Sequence, residues 1–316
     1  MKKHNSFIII SLAFATLLLT YSCHQKRSEK SISISGAFAL YPLTVKWAEV
    51  YEKQHPGVVI DVSAGGAGKG MTDVLSGMVD VAMFSREVSE VEISKGALGI
   101  AVAKDAVVPI LNSGNPNIDN ILHQGLTNSQ FVDLFVNNKI SKWNQIILSA
   151  KADNISVYTR SDACGAGEMW AEYLNSKQEL MSGIGIFGDP GVVDAVQTDK
   201  LAIGYSNIIY AYDARTRKPY DGILVVPIDF NNNGKIDADE SIYGSLDTLM
   251  KAIAEGKYPS PPARDLYFIT KGKPVKKITS DFLNWVLTDG QKYIKDAGYM
   301  QLTPEKVAEQ KVKFSN

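Results

Sequence analysis

The segment SISISGAFALYPLTVKWAEVYEKQ, residues 31–54, contains a strand pattern, a glycine turn and a helix pattern in direct succession. Isoleucine alternates with serine from Ser31 to Ser35, as expected of a strand. Helical spacing from Pro42 to Gln54 then places Trp47 and Tyr51 on one face. A turn of this kind aims bare backbone N–H groups and a helix N-terminus at one point, where an anion can be held.

Two further glycine-bearing segments repeat the arrangement, each between a strand-like run and a helix-like run. The three segments are Ser35-Gly36-Ala37-Phe38-Ala39-Leu40, Ala64-Gly65-Gly66-Ala67-Gly68-Lys69-Gly70 and Arg160-Ser161-Asp162-Ala163-Cys164-Gly165-Ala166-Gly167. With Lys69, Arg86 and Arg160 in or near them, they predict a protein that binds a small oxyanion. Simpler interpretations remain open: the glycines also fit a flexible turn, and Arg160 with Asp162 also fits a surface ion pair.

The rest of the chain alternates strand and helix patterns. A helix pattern covers Met71–Met78, and apolar runs too continuous for a one-sided sheet recur along the chain. These runs are Ile100–Ala103, Ala106–Leu111, Ile155–Tyr158, Leu201–Tyr205 and Leu266–Thr270, and further strand patterns cover Val58–Val62, Val79–Phe84 and Ile223–Ile228. Such runs between helices predict a parallel or mixed sheet that is buried on both faces, and therefore an α/β fold.

Two polar or proline-rich breaks, residues 112–120 and 258–262, interrupt this alternation. They predict where the chain crosses between two lobes. Lobe I would combine residues 32–107 with 263–316, and lobe II would be residues 108–262. A two-lobed α/β protein can bury a small ligand in its cleft by hinge closure.

The first residues predict export. Lys2 and Lys3 precede a short apolar run, which is too short to span a membrane. We therefore expect residues 1–22 to be a lipoprotein signal peptide and Cys23 to be lipidated, although a conventionally cleaved signal is the alternative. Residues 23–31 would be a polar tether. The protein would then face the periplasm in the cell envelope, with the lipid as its only membrane contact.

Composition excludes several classes of protein. The net charge of −1 lacks the excess of basic residues that is typical of nucleic-acid-binding proteins. The chain has 2 cysteines, and if Cys23 carries lipid, Cys164 has no partner for an internal disulfide. We expect Cys164 to be a packing residue rather than a nucleophile, since no base lies beside it in the sequence. An apolar content of 45% suffices for a core split over two lobes.

Several ordered blocks resemble the phosphate-binding proteins of bacterial ABC importers, and the stretch from Leu126 to Asn144 is the most specific. The blocks are Tyr41-Pro42-Leu43 with Lys46-Trp47-Ala48, Leu75-Ser76-Gly77-Met78-Val79-Asp80, Phe84-Ser85-Arg86-Glu87, Leu126-Thr127 with Phe135, Lys139-Ile140-Ser141-Lys142-Trp143-Asn144, Thr159-Arg160-Ser161-Asp162 and Ala202-Ile203-Gly204-Tyr205-Ser206. The resemblance implies the two-lobed type II periplasmic-binding-protein fold, an interlobe ligand cleft, a monomer, and an ABC permease in the inner membrane as partner. It also implies a binding protein rather than an enzyme.

The resemblance further implies which residues hold the ligand. Arg160 would be the main charge partner, with Ser85, Arg86 and Asp162 in support. The backbone donors would come from Ala37, Phe38, Ala39, Ala67, Gly68, Cys164, Gly165 and Ala166.

The hydroxyl side chains with which the family holds phosphate are missing here. Phe38, Ala39, Ala67, Cys164 and Ala166 stand where hydroxyl or other polar residues are expected. Backbone donors survive such substitutions, whereas each lost hydroxyl removes about 0.5–1.5 kcal/mol. Phosphate stays the first hypothesis for the ligand, and another oxyanion or anionic metabolite is the second. An anion-dependent sensor without a transport role would use the same cleft.

A second motif lies in DFNNNGKIDADE, residues 229–240. Its spacing matches the twelve-residue EF-hand calcium loop, with Gly234 at the sharp turn. The predicted ligands are Asp229, Asn231, Asn233, the Lys235 carbonyl, Asp237 and Glu240. An asparagine-rich hairpin turn is the alternative. We expect a structural Ca²⁺ with a dissociation constant of roughly 10⁻⁴–10⁻³ M, and no other cofactor.

Overall fold

The computed structural model describes residues 30–314. The predicted signal peptide, Cys23 and the first part of the predicted tether lie outside this range. The nine strands are β1 Ser31–Gly36, β2 Val59–Ala64, β3 Val81–Phe84, β4 Ala97–Asn112, β5 Ser156–Arg160, β6 Ile184–Ile186, β7 Ala202–Asn207, β8 Ile223–Val225 and β9 Ala263–Lys271. Ser31, the last residue of the predicted tether, already pairs with Val59 in the sheet.

Helices alternate with these strands over the described residues. The α-helices are α1 Tyr41–Gln54, α2 Ala67–Leu75, α3 Glu90–Ser94, α4 Ile118–Gln124, α5 Asn128–Phe135, α6 Gly165–Tyr173, α7 Gly188–Thr198, α8 Ile208–Ala211, α9 Leu246–Ala254, α10 Lys277–Val286 and α11 Pro304–Phe314. Short 3₁₀ helices cover Phe38–Leu40, Trp143–Gln145, Gln178–Leu180 and Asp289–Tyr293. Each of the three glycine-bearing segments leads from a strand into a helix.

The strands form a mixed sheet in the order β2-β1-β3-β9-β4-β7-β5-β6, and β8 pairs with β4. β1 pairs in parallel with β2 and β3, and β5 pairs in parallel with β6 and β7. The two long strands β4 and β9 lie antiparallel to each other at the centre. The predicted α/β class is confirmed.

Buried apolar side chains form two clusters, and both strands of this central pair contribute to each. One cluster runs from Ile32 to Ala103 and takes in α10, and we call this part lobe I. The other, from Ala106 to Tyr258, is lobe II. β4 changes cluster between Ala103 and Ala106, so the chain crosses between the lobes within the strand. The boundaries predicted at 107/108 and 262/263 stay predictions.

Two elements differ from the sequence prediction. β4 is one strand of 16 residues where two runs were predicted, because Lys104 and Asp105 continue its pairing with β9. Helix α2 begins at Ala67 rather than Met71, since Gly66 takes a φ of +90° at its N-cap. Gly70 lies inside α2, where a Cβ would come within 2.7 Å of the Gly36 Cα.

Across residues 30–314, no helix combines the length and the apolar content that a membrane crossing requires.

Candidate anion-binding site

The three glycine-bearing segments meet where lobe I contacts lobe II. The Gly68 amide of α2 donates to the Ala163 carbonyl in front of α6, at 3.2 Å. A Cβ on Gly66 would lie 2.9 Å from Asp162 Oδ2, and one on Gly165 would overlap the Ser85 backbone. The predicted site residues of the three loops, together with Ser85, are therefore brought together at one interlobe contact.

Backbone amides at this contact lack acceptors. The first N–H groups of any helix have no partner within it. Here Gly68 and Gly167 find outside acceptors, the Ala163 carbonyl and Cys164 Sγ. Among the predicted backbone donors, five amides have no acceptor in the hydrogen bonds of the described residues: those of Phe38, Ala39, Ala67, Gly165 and Ala166.

Arg160 lies in the middle of this contact and is almost completely buried. Its Nε and Nη2 donate to Asp162 at 2.8 and 2.6 Å, and its Nη1 donates to Asp189 at 2.5 Å. Burial alone would lower the pKa of Arg160, but the nearby Asp189 and Asp162 raise it above its ordinary value. The guanidinium is thus permanently charged and already paired with two carboxylates.

Asp189 was not predicted from the sequence. It lies at the start of α7 and is fully buried. Its Oδ1 accepts from the Asn207 amide at 2.9 Å and from Ser206 Oγ at 3.3 Å. The available clue was its position directly after Gly188 at a helix N-terminus, where carboxylates are favoured.

Asp162 connects the third segment to the start of α7. Its Oδ1 accepts from the Gly188 amide at 3.1 Å in addition to Arg160 Nε. Burial raises the pKa of this carboxyl, but Arg160 and the Gly188 amide outweigh burial, and the net pKa is lowered. Asp162 therefore stays ionised and fixes the orientation of the guanidinium.

The Phe38 side chain reaches from lobe I across to these groups. Arg160 Cζ lies 5.5 Å from the centroid of the Phe38 ring. The ring also meets Phe187 edge to face, with centroids 5.7 Å apart and an interplanar angle of 83°. Tyr210 Oη donates to the Phe38 carbonyl at 3.0 Å. No local sequence pattern indicates where this ring points.

Arg86 lies at the edge of the contact and is paired with carboxylates from both lobes. Two of its nitrogens donate to Glu92 at 2.8 and 2.9 Å. Its Nε lies 2.6 Å from Glu168 Oε2 of helix α6. Lys69 pairs with Asp73 within α2. The structure therefore places both side chains in local or interlobe ion pairs rather than among the unpaired amides.

Ser85 and Cys164 contribute through backbone and packing. The Ser85 carbonyl accepts from Arg264 Nε at 3.2 Å. Cys164 is the N-cap of α6, and its sulfur accepts from the Gly167 amide at 3.3 Å. Burial raises the pKa of Cys164 to about 12, which keeps it a thiol. Ala37 is buried, and its amide donates to the Met83 carbonyl at 2.9 Å.

A second buried ion pair lies behind the site, on the two central strands. Asp105 of β4 faces Arg264 of β9 in register, with Oδ2 and Nη1 3.6 Å apart. Arg264 instead donates to Asn207 Oδ1 and the Ser85 carbonyl, and both Asp105 oxygens lack hydrogen-bond donors. Burial raises the pKa of Asp105 to about 7, against the effect of Arg264.

The loop at residues 229–240 lies apart, on lobe II. Asp229 accepts from the amides of Asn233 and Gly234 at 3.2 and 2.9 Å. Glu240 Oε1 accepts from the Phe230 amide at 2.7 Å and the Asn231 amide at 3.2 Å. The first and last acidic residues of the loop are thus both buried against its own backbone.

Asp237 pairs with the remaining polar side chains of this loop. Lys235 Nζ lies 2.8 Å from its Oδ1, and the side-chain amides of Asn231 and Asn233 donate to its Oδ2. These contacts, first that of Lys235, lower the pKa of Asp237 to about 2. Across residues 30–314, no three His, Cys, Asp or Glu side chains are gathered as in a metal site. Ca²⁺ at this loop stays a prediction.

Known proteins match this chain over most of its length. Residues 24–290 match a family model described as a PBP superfamily domain. A phosphate-binding protein PstS of Xylella fastidiosa (strain Temecula1) is 28% identical, over 88% of this chain and 84% of that protein. The PstS protein of Bacillus subtilis (strain 168) is 23% identical, over 96% of this chain and 97% of its own length.

Solved structures give the same fold. A Clostridium perfringens phosphate ABC transporter substrate-binding protein, solved with bound phosphate, superposes with a TM-score of 0.70 at 20% identity, covering 86% of this chain and 100% of that one. An ABC-type phosphate transport receptor from Vibrio cholerae gives 0.60 at 18% identity, with coverage of 86% and 100%.

Proposed function

Because this chain belongs to the PBP superfamily, we propose that it is an extracytoplasmic solute-binding protein that captures phosphate, or a related oxyanion, for an ABC importer. Its relatives named phosphate-binding protein PstS support the ligand and the transport role. The ligand would lie between the two lobes, where the three helix N-termini meet.

The observation that carries this proposal is the set of five backbone amides without acceptors. Amides at helix N-termini bind anions through their free N–H groups and through the helix dipole. Four of the five belong to residues that are buried almost completely: Ala39, Ala67, Gly165 and Ala166. A buried donor without an acceptor is costly, so an oxyanion with several acceptor oxygens satisfies groups that the protein alone does not.

The charged groups around the site determine what attracts an anionic ligand to it. Asp162 and Asp189 already neutralise Arg160, so the guanidinium offers no net positive charge. The attraction for an anion must then come mainly from the amides. A carboxylate such as Asp162 also accepts a hydrogen bond from a protonated ligand oxygen. Opening of the lobes would admit the ligand, and closure is selected only if the closed form binds it better.

Calorimetric titration of the phosphate-stripped full chain with inorganic phosphate tests the proposal. Sulfate, molybdate and methylphosphonate serve as comparison anions. We expect heat of binding with phosphate or with one of these oxyanions. No binding of any of the four would contradict the proposed ligand class.

Two proline substitutions, one in the site and one outside it, test the role of the amides at helix N-termini. Ala67→Pro removes one unpaired donor at the first position of α2, where proline is tolerated. Loss of a hydrogen bond to a charged ligand costs about 1.5–3 kcal/mol, so affinity should fall by roughly one to two orders of magnitude. Glu90→Pro is the matched control at the first position of α3, an exposed residue in lobe I. Equal affinity in the two variants would contradict the role of the Ala67 amide.

The remaining parts of the proposal concern location and partners. We propose that Cys23 carries the lipid that holds a monomer at the envelope, and that an inner-membrane ABC permease receives the ligand. The relative named phosphate-binding protein PstS supports a permease as the partner. Labelling of the full chain with a radioactive fatty acid, compared with Cys23→Ala, tests the anchor: equal labelling would contradict it.

We also propose a structural Ca²⁺ at residues 229–240. The internal contacts of Asp229, Asp237 and Glu240 hold this loop in a compact form without any ion. The ion would replace the Asn and Lys contacts of Asp237, and its expected effect on thermal stability is given in the Discussion. No catalytic role is proposed for the chain.

A further inference from the structure

The Phe38 ring lies over the guanidinium of Arg160 at the interlobe contact. It belongs to lobe I, while its contacts are the guanidinium of Arg160, the edge of Phe187 and the backbone of Gly188 in lobe II. A Cβ placed on Gly188 would be 3.0 Å from the ring carbon Cζ. The ring therefore packs against the surface formed by Arg160, Asp162 and the start of α7.

The amide of the same residue is one of the five unpaired donors. A ligand that uses the Phe38 and Ala39 amides would lie next to the Phe38 Cα, and must share that space with the ring. Among the predicted anion-site residues, Arg86 lines a cavity of about 460 Å³ together with Glu168 and Arg264. The Phe38 ring fills part of the interlobe contact beside Arg160.

We propose that Phe38 is a built-in competitor of the ligand, whose ring must leave the face of Arg160 before an anion can occupy the site. The inference rests on the proposed function. The ring holds lobe I against lobe II at Arg160 and so sets the affinity for small anions. A cation–π contact and an edge-to-face pair together change an equilibrium constant by roughly ten- to thirtyfold.

Calorimetry with inorganic phosphate on the wild type and Phe38→Ala tests this competition. Removal of the competitor should tighten phosphate binding by about tenfold or more. Phe187→Ala, which removes only the edge-to-face partner, should tighten it by a few-fold. Weaker or unchanged binding in Phe38→Ala would overturn the proposal, because a ring that merely supports the liganded site would give that result. Leu148→Ala, an exposed apolar deletion in lobe II, is the control.

Small-angle X-ray scattering of the ligand-free proteins gives a readout that needs no ligand. Phe38→Ala should open the lobes and increase the radius of gyration, whereas Leu148→Ala should not. An unchanged radius in Phe38→Ala would overturn the competitor role even if no anion binds. An increased radius with no anion bound by either protein would support the competitor and contradict only the proposed function. Phe38→Leu, which keeps apolar volume but loses the cation–π contact, replaces Phe38→Ala if that variant does not fold.

Discussion

The interlobe site and the loop at residues 229–240 both concentrate polar groups. They differ in how far along the chain the partners of their charged groups lie. In the loop, Asp229, Asp237 and Glu240 are satisfied by groups no more than ten residues away. In the site, Arg160 is satisfied partly by Asp189, 29 residues away on another element. The loop is largely exposed, whereas the Arg160 and Asp189 side chains are 1% and 0% exposed.

This difference indicates where each region gets its stability. A buried charge depends on its partner, because removal of one leaves the other unpaired in a medium of low polarizability. An exposed charge loses little, because water replaces the partner. We therefore expect substitutions in the site to have large effects and those at exposed groups to have small ones.

The largest effect is expected for Arg160→Ala. This change leaves the buried Asp162 and Asp189 without their cation, which typically costs about 3–5 kcal/mol. Urea denaturation followed by circular dichroism measures the loss. Arg217→Ala is the matched control, since its partner Asp247 is 56% exposed. It should cost less than about 1 kcal/mol. Similar losses in the two variants would remove the distinction between the regions.

The next effect is a pH dependence that Asp105 imposes. Its pKa is about 7 in the folded chain and about 3.9 when unfolded. Between these values the folded state holds a proton that the unfolded state releases, so this carboxyl lowers stability as pH rises from about 4 to about 7. Above pH 7 the cost reaches at most about 4 kcal/mol.

Asp105→Asn removes this cost, because an amide keeps the shape of the protonated acid without the charge. The variant should match the wild type near pH 4 and become more stable than it as pH rises to 8. Denaturation midpoints measured at several pH values check this. A constant difference between the two proteins across pH 4–8 would show that Asp105 does not change its protonation in this range.

The sequence predicted the local parts of this molecule, and the resemblance implied the two-lobed fold, but individual contacts between distant residues were missed. Strand, turn and helix follow from residues close together in the chain, so the three segments and the α/β class could be predicted. The pairing of Arg160 with Asp162 was visible as an alternative, because the two residues are only two positions apart in the sequence. Its pairing with Asp189 and its contact with Phe38 depend on how distant loops pack, and no local pattern encodes that.

Binding of Ca²⁺ at the loop of residues 229–240 is expected to stabilise the chain by an intermediate amount. With a dissociation constant of about 10⁻⁴–10⁻³ M, 10 mM Ca²⁺ should stabilise the chain by about 1.4–2.7 kcal/mol. For a chain of this size the melting temperature should then rise by about 2–5 °C. Scanning calorimetry with and without Ca²⁺ measures the shift, and Asp237→Asn should reduce it. An unchanged melting temperature at 10 mM Ca²⁺ would favour the hairpin-turn interpretation.

The smallest effect is expected for Glu168→Gln, which breaks the contact between Arg86 and helix α6 across the lobes. Burial raises the pKa of Glu168 despite the attraction of Arg86, so desolvation more than offsets the benefit of the pair. Glu168 is 37% exposed and Arg86 keeps Glu92, so the loss should stay below about 1 kcal/mol. Denaturation at low and high salt, with exposed Glu172→Gln as the control on the same helix, measures it. A loss above about 2 kcal/mol would place this pair with the buried charges of Arg160, and the contrast between interior and surface would then fail at the edge of the site.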